Sequence, residues 1–380
     1  MSLRRRVMVI ASIVLAAVFA MNFLFAVMAQ RHSLNAAKEA ELANVAKITT
    51  SALQDRELIS AGAAEIIADQ AWVAKAFRAG DRQELQRGLQ PMFERMKAVY
   101  GASIIQFFRP PAEALLFVEN PEVPITDFSA TRPMIIAANL HGISQRGLEL
   151  GPVGLAVRAV APVKDDAGLI GVVEYASDFQ ALLKQISTLT DTQMATLINE
   201  DLWNKARKND KEFTPARDQV MEGNRTVYST DWDVTSALIT AGELAPTRGN
   251  RSTTRTHNGI EYGVLTMPLM DFSGQPIGFV VAVRSFAGLN AEFVDAVRLA
   301  VLRMLLGFIV SFGAMVVIFN GLLLRPVTDL LAKLQALEKG ETDTPLAIPG
   351  RADEVGELFQ AADRLRQKLR AHSDVASGRE

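Results

Sequence analysis

Residues 7–29 and 304–324 are apolar runs without a charged side chain, and the chain between them has the mixed texture of a water-exposed protein. An α-helix needs about 20 apolar residues to cross a hydrocarbon layer about 30 Å thick. Backbone groups in lipid must bond to one another, so both runs are expected to be spanning helices. From His32 to Arg78 there is no proline, and Gly62 is the one glycine. Apolar residues recur there at helical spacing: Leu34, Leu42, Val45, Ile48, Leu53, Leu58, Ile66, Val73 and Phe77. This spacing predicts an amphipathic helix, about 70 Å long if unbroken, that serves as a dimer stalk or as the spine of a packed domain. The alternative is a break near Gly62.

Beyond this helix the pattern shortens to strand-like runs between turn residues, and one segment occurs twice. Pro162, Asp165 and Gly168 precede Ile170-Gly171 and a β-rich run. Pro268, Asp271 and Gly274 precede Ile277-Gly278 and another, with one extra residue before Ile-Gly. Residues 154–160 and 260–267, just upstream, are β-rich as well. Asp and Gly take turn conformations while the flanking apolar residues fill strands, so each copy predicts a β-hairpin. The distance between Pro162 and Pro268 suits one small α/β module, which points to a duplicated module. Chance recurrence of a common turn is the alternative.

Charge orients the chain. Arg4, Arg5 and Arg6 precede the first run and Arg325 follows the second, which puts both termini on the cytoplasmic side. Arg31 and Arg303 on the far side soften the contrast. The first run is longer than a signal-peptide core, and only Val27-Met28-Ala29 imitates a cleavage site, so it is read as a retained span. Asn22 and Asn320 lie inside the runs, either bonded within their own helices or joining helices across a dimer. A net charge of −2 gives no basic field for nucleic acid. With no cysteine there is no thiolate chemistry, disulfide or cysteine zinc site. His32, His141, His257 and His372 are too scattered for a metal site. No phosphate loop, nucleophile elbow or dinucleotide fingerprint occurs. Neither a cofactor nor an enzymatic activity is expected.

The long helix followed by two strand-rich modules, each closing on Pro-x-x-Asp-x-x-Gly and Ile-Gly, resembles a double Cache sensor domain over roughly residues 35–285. The resemblance is most specific in the first module, at Ile105-Gln106-Phe107, residues 127–132 and residues 147–158, and is looser in the second. It resembles a Cache subgroup found on chemotaxis transducers and sensor kinases. After the second run, Arg325-Pro326 leads into Val327, Leu330, Leu334 and Leu337 at steps of three and four. A polar connector with Gly340, Leu346 and Ile348 precedes Asp353-Glu354-Val355-Gly356. Val355, Leu358, Ala362, Leu365 and Leu369 then repeat the same steps. Two short heptad helices cannot bury their seams alone. This tail resembles a HAMP domain, whose signature is the early proline (Pro326) and the Asp-Glu-x-Gly (Asp353, Glu354, Gly356) that opens the second helix.

The resemblance implies an α+β fold: an extracytoplasmic long helix with two PAS-like Cache modules, two transmembrane helices, and a HAMP four-helix bundle formed by dimerisation. The expected boundaries are a cytoplasmic N-terminus (1–6), first span (7–29), long helix (30–80), membrane-distal module (81–185), membrane-proximal module (186–288), connecting helix (289–303), second span (304–324), HAMP (325–371) and tail (372–380). In this family small ligands sit in the membrane-distal module, between the sheet and the loops over it. Arg132 and Arg158 are candidates to clamp a carboxylate. Phe107, Phe108, Phe117 and Tyr175 are candidate apolar walls, and Asp127 and Glu149 could meet an amine. Each has a structural alternative: Arg158 pairing with Glu149 or Glu174, Arg132 bracing a helix that begins near Asp127, and the aromatics filling core. The subgroup often has a His and an Arg where Phe108 and Phe117 stand, which implies a more apolar pocket or one that has lost the usual ligand.

The expected partners are a small molecule (a carboxylate, amino acid or apolar or aromatic acid), the lipid bilayer, a second copy of the chain and a cytoplasmic signalling protein. The expected function is a receptor of the bacterial inner membrane that relays ligand binding through HAMP into chemotaxis. The alternatives are the sensor half of a histidine kinase or diguanylate cyclase, and a stand-alone receptor or adaptor. His372-Ser373-Asp374 lacks the Glu-x-x-x-Pro context of a phosphoacceptor, no Gly-Gly-Asp-Glu-Phe run occurs, and a chain ending at Glu380 would favour the third reading.

Overall fold

The computed structural model describes residues 3–152, 154–206, 219–245, 247–339, 341, 344–346 and 353–377. Gly340, Ile348 and Glu380, named above, lie outside them, as does residue 153 of the motif at 147–158. Helix α1 (Leu3–Ala68) is continuous for 66 residues and passes through Gly62 without a break. The chain turns instead at Asp69 and Gln70, where Gln70 is extended at ψ 118°, and α2 (Ala71–Ala79) follows. The helix expected to reach Arg78 is therefore two helices. The turn lets Val73 and Phe77 fold back into a core with Ile67 of α1. Gly80, at φ 69°, closes α2, and the Asp81 carboxylate caps α3 (Arg82–Tyr100) by accepting from Glu84 N at 2.9 Å.

Two antiparallel sheets follow. The first contains β1 (Ala102–Arg109), β2 (Glu113–Phe117), β3 (Gln145–Gly151), β4 (Gly154–Asp165) and β5 (Gly168–Asp178), in the order β2-β1-β5-β4-β3, with α4 (Pro133–His141) between β2 and β3. Helix α5 (Phe179–Thr190) leads to the second sheet. That sheet contains β6 (Gln193–Asn199), β7 (Val220–Met221), β8 (Asn224–Ser229), β9 (Arg251–His257), β10 (Ile260–Met270) and β11 (Pro276–Ser285), with α6 (Glu200–Ala206) and α7 (Trp232–Leu238) in its connections. Its order, β7-β8-β6-β11-β10-β9, repeats the first sheet apart from the added edge strand β7. The two Pro-x-x-Asp-x-x-Gly segments form the equivalent hairpins β4–β5 and β10–β11. Each proline sits just beyond the end of its outer neighbour. Pairing of β3 with β4 stops at Val160 and that of β9 with β10 at Thr266. A proline without an N–H is tolerated where the ladder on that side has ended.

The first sheet is covered on both faces. Ile67, Phe77, Leu85 and Phe93 from the helices pack on Ile105, Phe107, Val173 and Tyr175 on one face. Met134, Ile135 and Ala138 of α4 pack on Phe108, Val160 and Val172 on the other. Helix α1 serves both modules, since Leu42 and Val45 join a cluster with Met194, Leu265 and Phe286 of the second. Lys38–Glu261 at 2.6 Å and Arg284–Glu41 at 3.0 Å fix it there.

Leu34–Ala291 form one compact unit, and Met1–Ser33 with Glu292–Glu380 form a second. Within the second unit, α1 and α8 (Ala287–Ile318) contain segments long and apolar enough to span a membrane. Phe19 and Phe308 meet edge to face at 5.6 Å. Asn22 bonds within its own helix, to Val18 O at 2.9 Å. Residues Phe319–Leu324 wind as a π-helix, in which the Asn320 side-chain oxygen is buried without a hydrogen bond. Helices α9 (Arg325–Glu338) and α10 (Glu354–Ser377) then pack through Leu330, Val355 and Phe359. The heptad reading omitted Phe359, which is fully buried. Asp363 accepts from Arg366 and from Leu346 N, and these bonds hold its carboxyl down at about 2. Val327, Leu358, Leu365 and Leu369 of the heptads remain exposed in the single chain.

Candidate ligand-binding site

Strand alternation sorts the candidate residues. Adjacent residues of a strand point to opposite faces. Phe107 packs with Phe77 at 5.3 Å and with Tyr175 on the helix-covered face, whereas Phe108 belongs to the outer face beneath α4. Phe107 and Tyr175 therefore do not line the same space as Phe108, Arg132 and Arg158. Phe108, Phe117 and Phe128 form a triangle with centroids 5.8, 6.1 and 5.8 Å apart. Phe128, inside the motif at residues 127–132, was not singled out in the sequence. Asp127 is exposed, and its carboxylate accepts from Ser129 N and Oγ, which lowers its proton affinity.

Below the aromatic triangle lies a buried ionic network. Arg132 Nε donates to Glu149 Oε2 at 2.8 Å and its Nη2 to Glu174 Oε1 at 2.6 Å. Arg158, with no solvent exposure, donates from Nη1 to the same Glu174 oxygen and from Nε to the Glu149 backbone carbonyl at 3.3 Å. Glu149 Oε1 also accepts from Met134 N at 2.9 Å, in the first turn of α4. The Arg132 guanidinium lies 5.6 Å from the Phe108 ring centroid. A Cβ on Gly151 would stand 2.9 Å from Arg158 Nη2, so the glycine leaves room for that guanidinium. Burial alone would push the Glu174 carboxyl up, but Arg132 and Arg158 outweigh it and hold it below the usual range. The pairing of Arg158 with Glu149 and Glu174, offered above as the structural alternative, is the geometry found. Both arginine charges are matched within the protein.

The tail candidates sit at helix starts. Pro326 is in the first turn of α9, Glu354 begins α10, and Asp353 Oδ1 accepts from Gly356 N at 2.9 Å to cap it. Gly356 is buried. Among the described residues, no group of three or more acidic, His or Cys side chains is placed to hold a metal.

Comparison with known proteins agrees with this architecture. A double Cache model, described as the double sensory domain of two-component sensor kinases, matches residues 35–287, and a HAMP model matches residues 318–371. No curated protein sequence matches. Among solved structures, the ligand-binding domain of the Campylobacter jejuni chemoreceptor Tlp3 in complex with L-valine is similar at 10% identity, over 70% of this chain and 98% of that one, with a TM-score of 0.43. The periplasmic domain of Vibrio cholerae LuxQ is similar at 10% identity, over 65% of this chain and 99% of that one, with a TM-score of 0.38.

Proposed function

The chain belongs to the double Cache sensory family of two-component sensor kinases and carries a HAMP domain behind it; from that premise we propose a two-pass receptor of the bacterial inner membrane that binds a small molecule outside and relays the event through HAMP. The observation that carries this reading is the arrangement of the parts. The double sensory region lies between two helical segments fit to span a membrane, and a signalling module follows the second. The flanking arginines favour cytoplasmic termini. The exposed heptad residues Leu358, Leu365 and Leu369 favour a dimer, in which they would close a four-helix bundle. The ligand acts by preferring one arrangement of the sensory dimer, and its effect is limited to its difference in affinity between the two arrangements. The first module's outer face, with Phe108, Phe117, Arg132, Glu149 and Arg158, is the proposed sensing face. The output proposed is control of chemotaxis. Control of a two-component kinase is the second reading, favoured by the description of the matched family.

The test uses the full chain in lipid nanodiscs, screened by thermal stability against amino acids, organic acids, amines and aromatic acids. A ligand at 100 times its Kd adds about 2.7 kcal/mol, so one chemical class is expected to raise the melting temperature. Because the chain has no cysteine, Leu358→Cys gives background-free disulfide cross-linking, and its rate should change with that ligand. No thermal shift with any class, together with no cross-link, would sink the reading.

A further inference from the structure

A half-enclosed cavity of about 320 Å³ lies where the two modules meet, lined by Gln106, Glu119, Ala156 and Asp178 together with Trp203 and Val227 of the second module. Its volume is at the lower end of the range for small-molecule sites, about 300–1,000 Å³.

The charges around it do not balance. Arg132 and Arg158 are matched one for one by Glu149 and Glu174, so that network carries no net charge. Glu119 stands outside it. Its carboxylate accepts from the Gln106 amide and from Ile105 N at 3.1 Å, both neutral donors. Asp178 accepts from Gln180 N at 2.8 Å and Ala181 N at 3.3 Å, again neutral donors. No lining residue is basic. Gln106 is 4% exposed, and its amide nitrogen is committed to Glu119. Among the described residues its amide oxygen accepts no hydrogen bond, which leaves an unused acceptor in the cavity wall. Trp203, 5% exposed, contributes an indole. A carboxylate, an unused acceptor and an aromatic face together are complementary to an ammonium group with an apolar body.

We propose that this inter-module cavity binds a small organic cation, a protonated amine, with Glu119 as its counter-charge, Gln106 as a neutral acceptor and Trp203 as its wall. The proposal rests on the receptor reading above and places a ligand in a cavity separate from the Phe108–Arg132 face named there. Because the lining comes from both modules, an occupant couples them.

Binding carries a pH signature. Burial pushes the Glu119 carboxyl up to about 7, and Glu174 of β5, which pairs with Gln106, pushes it the same way. Asp178 shares the cavity and adds to the negative field. Above pH 7 Glu119 is charged and attracts the ammonium. Below it the carboxyl is neutral, and affinity falls roughly tenfold per pH unit.

The test is isothermal titration calorimetry on the full chain in nanodiscs with phenethylamine, n-butylamine and the anion 3-phenylpropionate. An amine is expected to bind at pH 8 and to weaken at least tenfold at pH 5.5, with no heat from 3-phenylpropionate. Glu119→Gln is expected to weaken amine binding at least tenfold at pH 8 while still melting cooperatively. If that variant fails to fold, Ala156→Leu, which fills the cavity from β4, should abolish binding in its place. Unchanged affinity in the variant, pH-independent binding, preference for 3-phenylpropionate or no binding of either amine would overturn the proposal. If amines fail while another class shifts the melting temperature in the wider screen, the cation site falls and the sensory reading stands. If every class fails, the cation site falls, and the sensory reading falls with it when Leu358→Cys also gives no cross-link.

Discussion

Arg158 shows how much a single side chain can be committed to structure before function. It is fully buried, touches two glutamates, and has a glycine set aside to admit it. Removing one partner of a buried ion pair leaves an uncompensated charge, which costs about 3–5 kcal/mol. Arg158→Ala should therefore destabilise residues 34–291 by about that amount in chemical denaturation, with or without ligand. The double replacement Arg158→Met and Glu174→Met should recover much of the loss, because Arg132 keeps Glu149 as its partner. A loss under 1 kcal/mol in the single variant would mean that Arg158 is free to meet a carboxylate ligand after all.

At the scale of elements, one turn serves two purposes. In the first module the hairpin turn docks on a helix, through an ion pair between Asp165 and Arg78. In the second module the equivalent turn reaches across to the first, where Phe272 N donates to Leu148 O at 2.9 Å and the ring packs against the outer-face cluster. Gly147 allows this contact, since at φ 140° it adopts a backbone few other residues accept, and a Cβ there would lie 2.9 Å from Phe272 Cα. Gly147→Val should cost roughly 1–3 kcal/mol of strain and speed hydrogen exchange at the Phe272 amide; unchanged exchange would show that the turn is not held there. The hairpins were legible in the sequence because turn chemistry is local. Their docking was not, because Gly147 and Phe272 belong to different modules. The turn at Asp69–Gln70 carries no glycine or proline to announce it. Alternation could have separated Phe107 from Phe108, and it did bring Arg158 beside Glu174. The cavity draws on Glu119 just past β2, Asp178 at the end of β5 and Trp203 within α6, which no spacing rule links.

At the scale of the molecule, the relay proposed above requires that motion reach the tail in the right rotational phase. The π-helix at Phe319–Leu324 stands where the second apolar helix passes into α9. A turn closed from i to i+5 takes in about one residue more than an α-turn, and one residue amounts to about 100° of rotation and 1.5 Å of rise. The segment thus holds a spare residue. If the same six residues rewound as α-helix, everything beyond them would swing by about 100° and advance by about 1.5 Å without any packed helix having to stretch. Deleting Gly321 should discard that spare residue while keeping the faces of α8 and α9 in their present relation. Such a chain is expected to bind ligand and to cross-link through Leu358→Cys at its unliganded rate, with no further change when ligand is added. A cross-linking response that survives the deletion would show that the signal crosses this joint by tilt or piston motion, with the spare residue serving only to set the angle at which the tail is presented.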